Sequence, residues 1–348
     1  MRVEYEEVQP PPAQPVPVTI IAGFLGSGKT TLLNHILSEN HGVRAAVLVN
    51  DFGAINIDAK LVVGVEGDTI SLENGCICCN IRDDLFATCM SLLRRPEPPE
   101  RFIIETSGVS DPLQVAETFV RPEIHRYLTM DHILSVVDAE RFPDLLKGET
   151  GELARRQVQV ADIVVLNKVD LVSDGLGSVR QLVREVAPRS RVLEATYGRV
   201  PLELILDVGE WGADGQAEEW LHAARGAHHD HRAEFSTWHW TSDDPLSLPK
   251  LRAALEALPD TIYRAKGIVY LEELPTHRVA MQMVGKRYDL ADTEPWGSAS
   301  PSSEIVLIGS RGGVDADGLA RLFEGCIGTG DDSASPVLRL ARKLGLAG

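Results

Sequence analysis

Residues 23–30 read GFLGSGKT and fit the pattern G-x-x-x-x-G-K-[ST]. Gly23, Gly26 and Gly28 permit a backbone that turns its N–H groups inward around phosphate oxygens, with Ser27 inside the same cradle. Lys29 has the reach to meet a β/γ-phosphate pair, the Thr30 hydroxyl suits Mg²⁺, and Thr31 falls near an α-phosphate. Downstream, residues 167–170 read NKVD directly after the apolar run IVVL. The Asp170 carboxylate can accept from guanine N1–H and the 2-amino group, a donor pair that adenine lacks. Asn167 is expected at the O6/N7 edge, and Lys168 over the sugar side and the phosphate loop. Glu105 closes the run FIIE and precedes TSG. A strand-end acid beside the phosphate-loop strand can hold Mg²⁺ directly or through water, and the Gly108 N–H can contact a γ-phosphate and sense its loss. Lys29, Thr30 and Glu105 are therefore the expected catalytic set. No Gln follows Gly108, so intrinsic hydrolysis is expected to be slow, and no residue stands out as the base. ATYG (195–198) can supply backbone that closes over the base.

A second kind of chemistry is concentrated at ENGCICCN, residues 73–80. Cys76, Cys78 and Cys79 put three thiols within four residues, beside the conformationally free Gly75. Thiolates favour Zn²⁺, Cu(I) or Co²⁺. A closed structural zinc site spaces its ligands more widely, so this cluster needs a ligand from elsewhere and suits an ion that must leave again. Asp51 in VNDFG is a candidate extra ligand that could equally serve Mg²⁺. His228, His229 and His231, with His222, form a metal-friendly tract that reads as an auxiliary capture loop or as a polar linker containing histidines. Cys89 and Cys326 lie in helical apolar patterns and are expected to be buried.

These residues need a scaffold. The apolar runs 16–22, 45–50, 102–105, 133–138 and 163–168 are short, β-branched and separated by helix-length segments. That alternation indicates an α/β fold with a doubly wound, mostly parallel sheet. Beyond about residue 210 the pattern changes. FSTWHW, a helix around 246–257, strands within 261–273, 277–285 and 304–310, and a helix from near Asp315 suggest a smaller α+β domain with an antiparallel sheet. The expected organisation is an acidic, Pro-rich tail (1–16), a nucleotide domain carrying the cysteine loop (17–208), a His-containing linker (209–233) and a C-terminal domain (234–346). The tail reads as solvated chain or as an extended arm for docking a partner.

The formal net charge of -17 over 348 residues repels phosphate backbones and anionic lipid, so neither nucleic acid nor a membrane is an expected partner. No run approaches a membrane span, the N-terminus has no apolar signal region, and five cysteines, three of them clustered, suit a reducing cytoplasm.

GFLGSGKTTLLNHIL, VNDFGAINIDAKLV, ENGCICCN, ETSGVSDP and NKVD, in this order, resemble the CobW-type GTPases, relatives of HypB and UreG. LRAALEALPDTIYRAKGIVYLE, MQMVGKRYDL, EPWG and EIVLIGS resemble the CobW C-terminal domain. The resemblance covers about residues 17 to 325. It implies a GTPase that uses GTP and Mg²⁺, carries Zn²⁺ or Co²⁺ on Cys76, Cys78 and Cys79, and delivers it to a client metalloprotein, with a nucleotide- or metal-dependent dimer as one possible assembly. Where the family often has N-E-F-G this chain has NDFG, so the Asp51 carboxylate is one carbon shorter. The competing readings are a passive metal buffer or sensor with weak GTPase activity, and a maturation factor for a cobalt-dependent pathway or a nitrile hydratase. Asp170→Asn is expected to weaken GTP and favour xanthosine triphosphate, whose 2-oxo group accepts from the new amide. Competition binding of the two triphosphates checks this, and equal wild-type affinity for ATP and GTP would refute guanine selection.

Overall fold

The computed structural model describes residues 12, 14–39, 43–50, 69–71, 80–121, 124–206, 235–310 and 312–328. Asp51, Cys76, Cys78, Cys79, His228, His229 and His231 lie outside the described residues, as do most of the tail and the linker. The chain divides into two compact units.

The N-terminal unit is built on seven strands: β1 (Val16–Ala22), β2 (Ala45–Asn50), β3 (Thr69–Ser71), β4 (Arg101–Thr106), β5 (Leu128–Asp138), β6 (Ile163–Asn167) and β7 (Arg191–Ala195). Their order is β3-β2-β4-β1-β5-β6-β7, and every pairing is parallel. β4 and β6 are buried along their whole length, which is why they read as continuous apolar runs rather than alternating ones. The register brings the chemistry-bearing residues level at the carboxyl edge: Ile21 pairs with Glu105, and Asp138 with Asn167. That edge is where an open parallel sheet binds its ligand. Five of these strands, β1, β2, β4, β5 and β6, coincide with the apolar runs of the sequence. β3 has only three residues, and β7 is short with Glu194 exposed, so neither stands out as an apolar run.

Helices α1 (Lys29–Ser38), α2 (Asn80–Leu93), α3 (Pro112–Phe119), α4 (Phe142–Leu145), α5 (Gly151–Gln159), α6 (Leu176–Val186) and α7 (Leu202–Ile205) fill the crossovers and the end of the unit. α3 starts cleanly: Pro112 sits in its first turn, and the Asp111 side chain accepts from the Leu113 N–H at 3.0 Å. On α6, Val179, Val183 and Val186 recur at helical spacing and pack with Val158 and Val164.

The C-terminal unit is a five-stranded antiparallel sheet. Its strands are β8 (Phe235–Ser242), β9 (Ile262–Val269), β10 (His277–Val284), β11 (Arg287–Pro295) and β12 (Ser303–Ser310), in the order β11-β10-β9-β12-β8. β11 is a mostly exposed edge strand without buried alternation, so its sequence carries no strand signal. Helices α8 (Leu248–Ala257) and α9 (Ala316–Glu324) cover the apolar face, and Asp315 caps α9 through the Gly318 N–H. Phe323 is fully buried against the rings of Trp238 and Trp240, with centroids 5.8 and 5.6 Å away. Among the described residues no helix is long and apolar enough to cross a membrane.

Phe323→Ala removes this shared aromatic contact and is expected to cost about 3–5 kcal/mol in the C-terminal unit. All five tryptophans lie beyond residue 210, so urea unfolding followed by tryptophan fluorescence reads that unit directly.

Candidate functional site

β1 ends beneath the loop 23–28, and α1 follows at once. Gly28 is the N-cap at φ 107 and makes no side-chain cap, so no side chain competes for the first-turn N–H groups. The glycine is required twice over. Its φ disfavours any side chain, and a Cβ here would lie 2.3 Å from Asn167 Nδ2. Lys29 is only 7% exposed and lies across the loop, with Nζ donating to the Phe24 carbonyl at 3.5 Å.

The Thr30 hydroxyl donates to Glu105 Oε1 at 3.2 Å, and Glu105 is 2% exposed at the end of β4. Two hard oxygens, one from the first turn of α1 and one from the end of β4, thus meet beside the phosphate loop, a donor set that fits Mg²⁺. Gly108, three residues beyond Glu105, packs directly on the phosphate loop: a Cβ there would sit 2.7 Å from the Leu25 backbone nitrogen.

On the other flank Asn167 is 1% exposed at the end of β6. Its Nδ2 donates to the Ser27 carbonyl, and its Oδ1 accepts from the Gly198 N–H, both at 2.9 Å. The expected base-edge residue therefore spends its amide on two backbones, joining the phosphate loop to the loop after β7. Lys168, at φ 61, donates from Nζ to the Gly26 carbonyl and to Asp138 Oδ2, each at 2.7 Å. Asp138 in turn accepts the Glu140 and Arg141 N–H groups. Asp170 follows in the 3₁₀ turn Val169–Leu171 and is exposed, with its carboxylate on the rim. Thr31 is also exposed.

The structure thus brings together Gly26, Ser27, Gly28, Lys29, Thr30, Glu105, Gly108, Asn167 and Lys168. Two contributors escaped the sequence reading. Asp138, which seats Lys168, ends an apolar strand as Glu105 does, and that position was the available signal. Gln157 donates from Nε2 to the carbonyls of Gly108 and Ser110, and nothing local in the sequence marks it.

Cys89 and Cys326 are buried free thiols. Burial pushes Cys89 up to about 12 and Cys326, partly opposed by Lys250, up to about 11. Neither is a thiolate at neutral pH. Among the described residues no group of three His, Cys, Asp or Glu side chains could hold a metal.

A family model described as CobW/HypB/UreG, nucleotide-binding domain, matches residues 17–194. A second, the cobalamin synthesis protein cobW C-terminal domain, matches 235–327. The zinc chaperone CobW of Pseudomonas aeruginosa is 33% identical over 337 residues, covering 85% of this chain and 88% of that protein. The zinc chaperone YjiA of Escherichia coli is 31% identical over 308 residues, covering 85% and 94%. The zinc-regulated GTPase metalloprotein activator 1 of Dictyostelium discoideum is 31% identical over 333 residues, covering 80% and 70%.

Asn167→Ala strips the Ser27 carbonyl and the Gly198 N–H of a buried partner, at about 1–3 kcal/mol for each group. Nucleotide affinity is expected to fall by one to two orders of magnitude, measured by titration with a fluorescent guanine nucleotide. Unchanged affinity would mean the three loops hold their arrangement without the amide.

Proposed function

The chain belongs to the CobW/HypB/UreG family, and on that footing we propose that it is a GTP-hydrolysing metallochaperone, cytoplasmic, loading Zn²⁺ or Co²⁺ at a cysteine loop and delivering it to a client metalloprotein. The observation that carries the reading is the Asn167 bridge. It joins the phosphate loop to the loop after β7 and leaves Asp170 on the rim where a guanine would offer its donors. Gly26, Ser27, Gly28 and Lys29 cradle the phosphates, Thr31 meets the α-phosphate, and Lys168 covers the sugar side. Thr30 and Glu105 hold Mg²⁺, which when bound offsets charge on the β- and γ-phosphates. Gly108 faces the γ-phosphate. We assign residues 17–208 to the GTPase domain, 209–233 to a linker and 234–346 to the C-terminal domain.

Metal is cargo on this reading, held by Cys76, Cys78 and Cys79, with Asp51 and the histidines at 228, 229 and 231 as accessory donors. The chain order supports a link to nucleotide state. β3 runs parallel to β2 and ends at Ser71, α2 begins at Asn80, and the cysteines lie between these two elements. The same chain then enters β4 and reaches Glu105.

If GTP changes metal affinity by some factor, metal changes GTP affinity by the same factor. A useful switch needs ~1–3 kcal/mol of coupling, roughly 5- to 150-fold. Metal affinity is measured by competition with a chelating dye, without nucleotide, with GDP and with a non-hydrolysable GTP analogue. The GTP state is expected to hold metal more tightly, Lys29→Ala to erase the difference, and replacement of Cys76, Cys78 and Cys79 by Ser to abolish tight binding. Equal affinities in all three states would leave a passive metal binder.

A further inference from the structure

The loop that follows Glu105 is held from two sides. On one side Gly108 lies against the backbone of Leu25 in the phosphate loop. On the other, the 1%-exposed Gln157 of α5 donates to the Gly108 carbonyl at 3.1 Å and to the Ser110 carbonyl at 2.9 Å. Turning the amide over would set its oxygen against both carbonyls, so its orientation is imposed by these partners. The remaining atom, Oε1, is buried without a hydrogen-bond partner. Gln157 lines a cavity of about 510 Å³ under the phosphate loop together with Ser27, Ser135, Phe142 and Val158. The hydroxyls of Ser27 and Ser135 are likewise buried and unpartnered. Lys29, Thr30, Glu105, Asn167 and Asp170 are not among the residues lining this cavity, and the hydrogen bonds of Gln157 run to the loop that carries Gly108. A second link runs beside the first, from Arg156 Nη1 to Asp111 Oδ2 at 3.4 Å. Asp111 is the cap of α3.

We propose that Gln157 is a positioning residue: it sets the Gly108 N–H for the γ-phosphate and passes the state of that loop to α5. The proposal rests on the reading that Gly108 faces the γ-phosphate. α5 leads directly into β6, whose last residue is Asn167, ten positions after Gln157. One helix therefore connects the phosphate-sensing loop to the strand that carries the base-recognition residues. The clamp holds one face of the Gly108 loop, while the cavity leaves room on the other side of the amide for the loop and helix to shift together.

The test uses the full chain with Gln157→Met, which keeps side-chain length without donors, and Gln157→Glu. Both are titrated with GDP and with a non-hydrolysable GTP analogue in Mg²⁺, alongside kcat and KM for GTP. In Gln157→Met, GDP affinity is expected to stay within about twofold and analogue affinity to fall about tenfold, the scale of two lost neutral hydrogen bonds. kcat falls with it. In Gln157→Glu the carboxylate repels both carbonyls, whereas the protonated acid donates to one. Its analogue affinity relative to wild type should therefore recover as pH falls from about 8 to about 6, the range into which burial lifts a carboxyl. If Gln157→Met fails to hold GDP, that pH dependence decides the matter. Equal losses for GDP and analogue, with a flat pH profile, would make Gln157 a packing residue and overturn the proposal alone. A wild type that neither distinguishes analogue from GDP nor hydrolyses GTP would remove the γ-phosphate reading and the proposal with it.

Discussion

One buried carboxamide organises the base side of this site. Asn167 sits at the end of β6, the strand next to the sheet edge, and has two backbone partners, 140 residues upstream and 31 downstream. Either partner, left alone in the interior, would cost on the order of 1–3 kcal/mol. The amide therefore does more than offer an edge to a ligand. It fixes the distance between the loop 23–28 and the loop after β7. The glycine at 28 follows from it, since any side chain there would collide with the amide itself. Lys168 reinforces the same junction. Its left-handed backbone is uncommon for a long side chain, and it is held by the Gly26 carbonyl and the Asp138 carboxylate.

The two flanks of the phosphate loop are built differently. On the base side, buried or half-buried side chains bond straight to the loop's carbonyls. On the β4 side, Thr30 and Glu105 meet at 3.2 Å, and the following segment is steered by an amide that opens onto a cavity. On the proposed function, a rigid frame for the nucleoside and an adjustable one for the terminal phosphate suit a protein that must keep its ligand while registering a change in it. Differential contact with the two nucleotide states can only shift a population if some element has two arrangements available. The loop from Thr106 to Ser110, with α5 behind it, is the element on this flank with room to have them.

What could be read in advance follows the range of the contacts involved. The phosphate loop and NKVD are local motifs whose geometry is set within eight and four residues, and each follows an apolar strand, so type and position were legible together. The strands β1, β2, β4, β5 and β6 were legible because burial on both faces leaves uninterrupted β-branched runs. β11 was not, because an exposed edge strand needs no apolar alternation. Gln157 was invisible for a different reason. Its partners lie 47 and 49 residues away, and a glutamine on a polar helix looks like any solvated residue until the fold places it against two carbonyls. Asn167 was recognised, but its bonds were not: the motif predicts a contact with the base, and the structure shows two backbone partners, the Ser27 carbonyl and the Gly198 N–H.

The cysteines separate along the same line between burial and chemistry. A soft cation binds thiolate, so a thiol competes for metal in proportion to how readily it gives up its proton. Burial holds Cys89, near 12, and Cys326, near 11, well above an ordinary thiol, so both keep their proton at neutral pH. An unperturbed thiol would be ionised to about one part in 30. Burial thus disfavours two of the five cysteines as metal ligands. Both also lie within packed apolar clusters. The proposed function assigns cargo metal to the three thiols at 76, 78 and 79, which in the chain fall between Ser71 and Asn80. On the proposed function, protonation of the other two thiols keeps them out of nucleotide-controlled transfer, since a second strong site elsewhere would hold metal regardless of which nucleotide is bound.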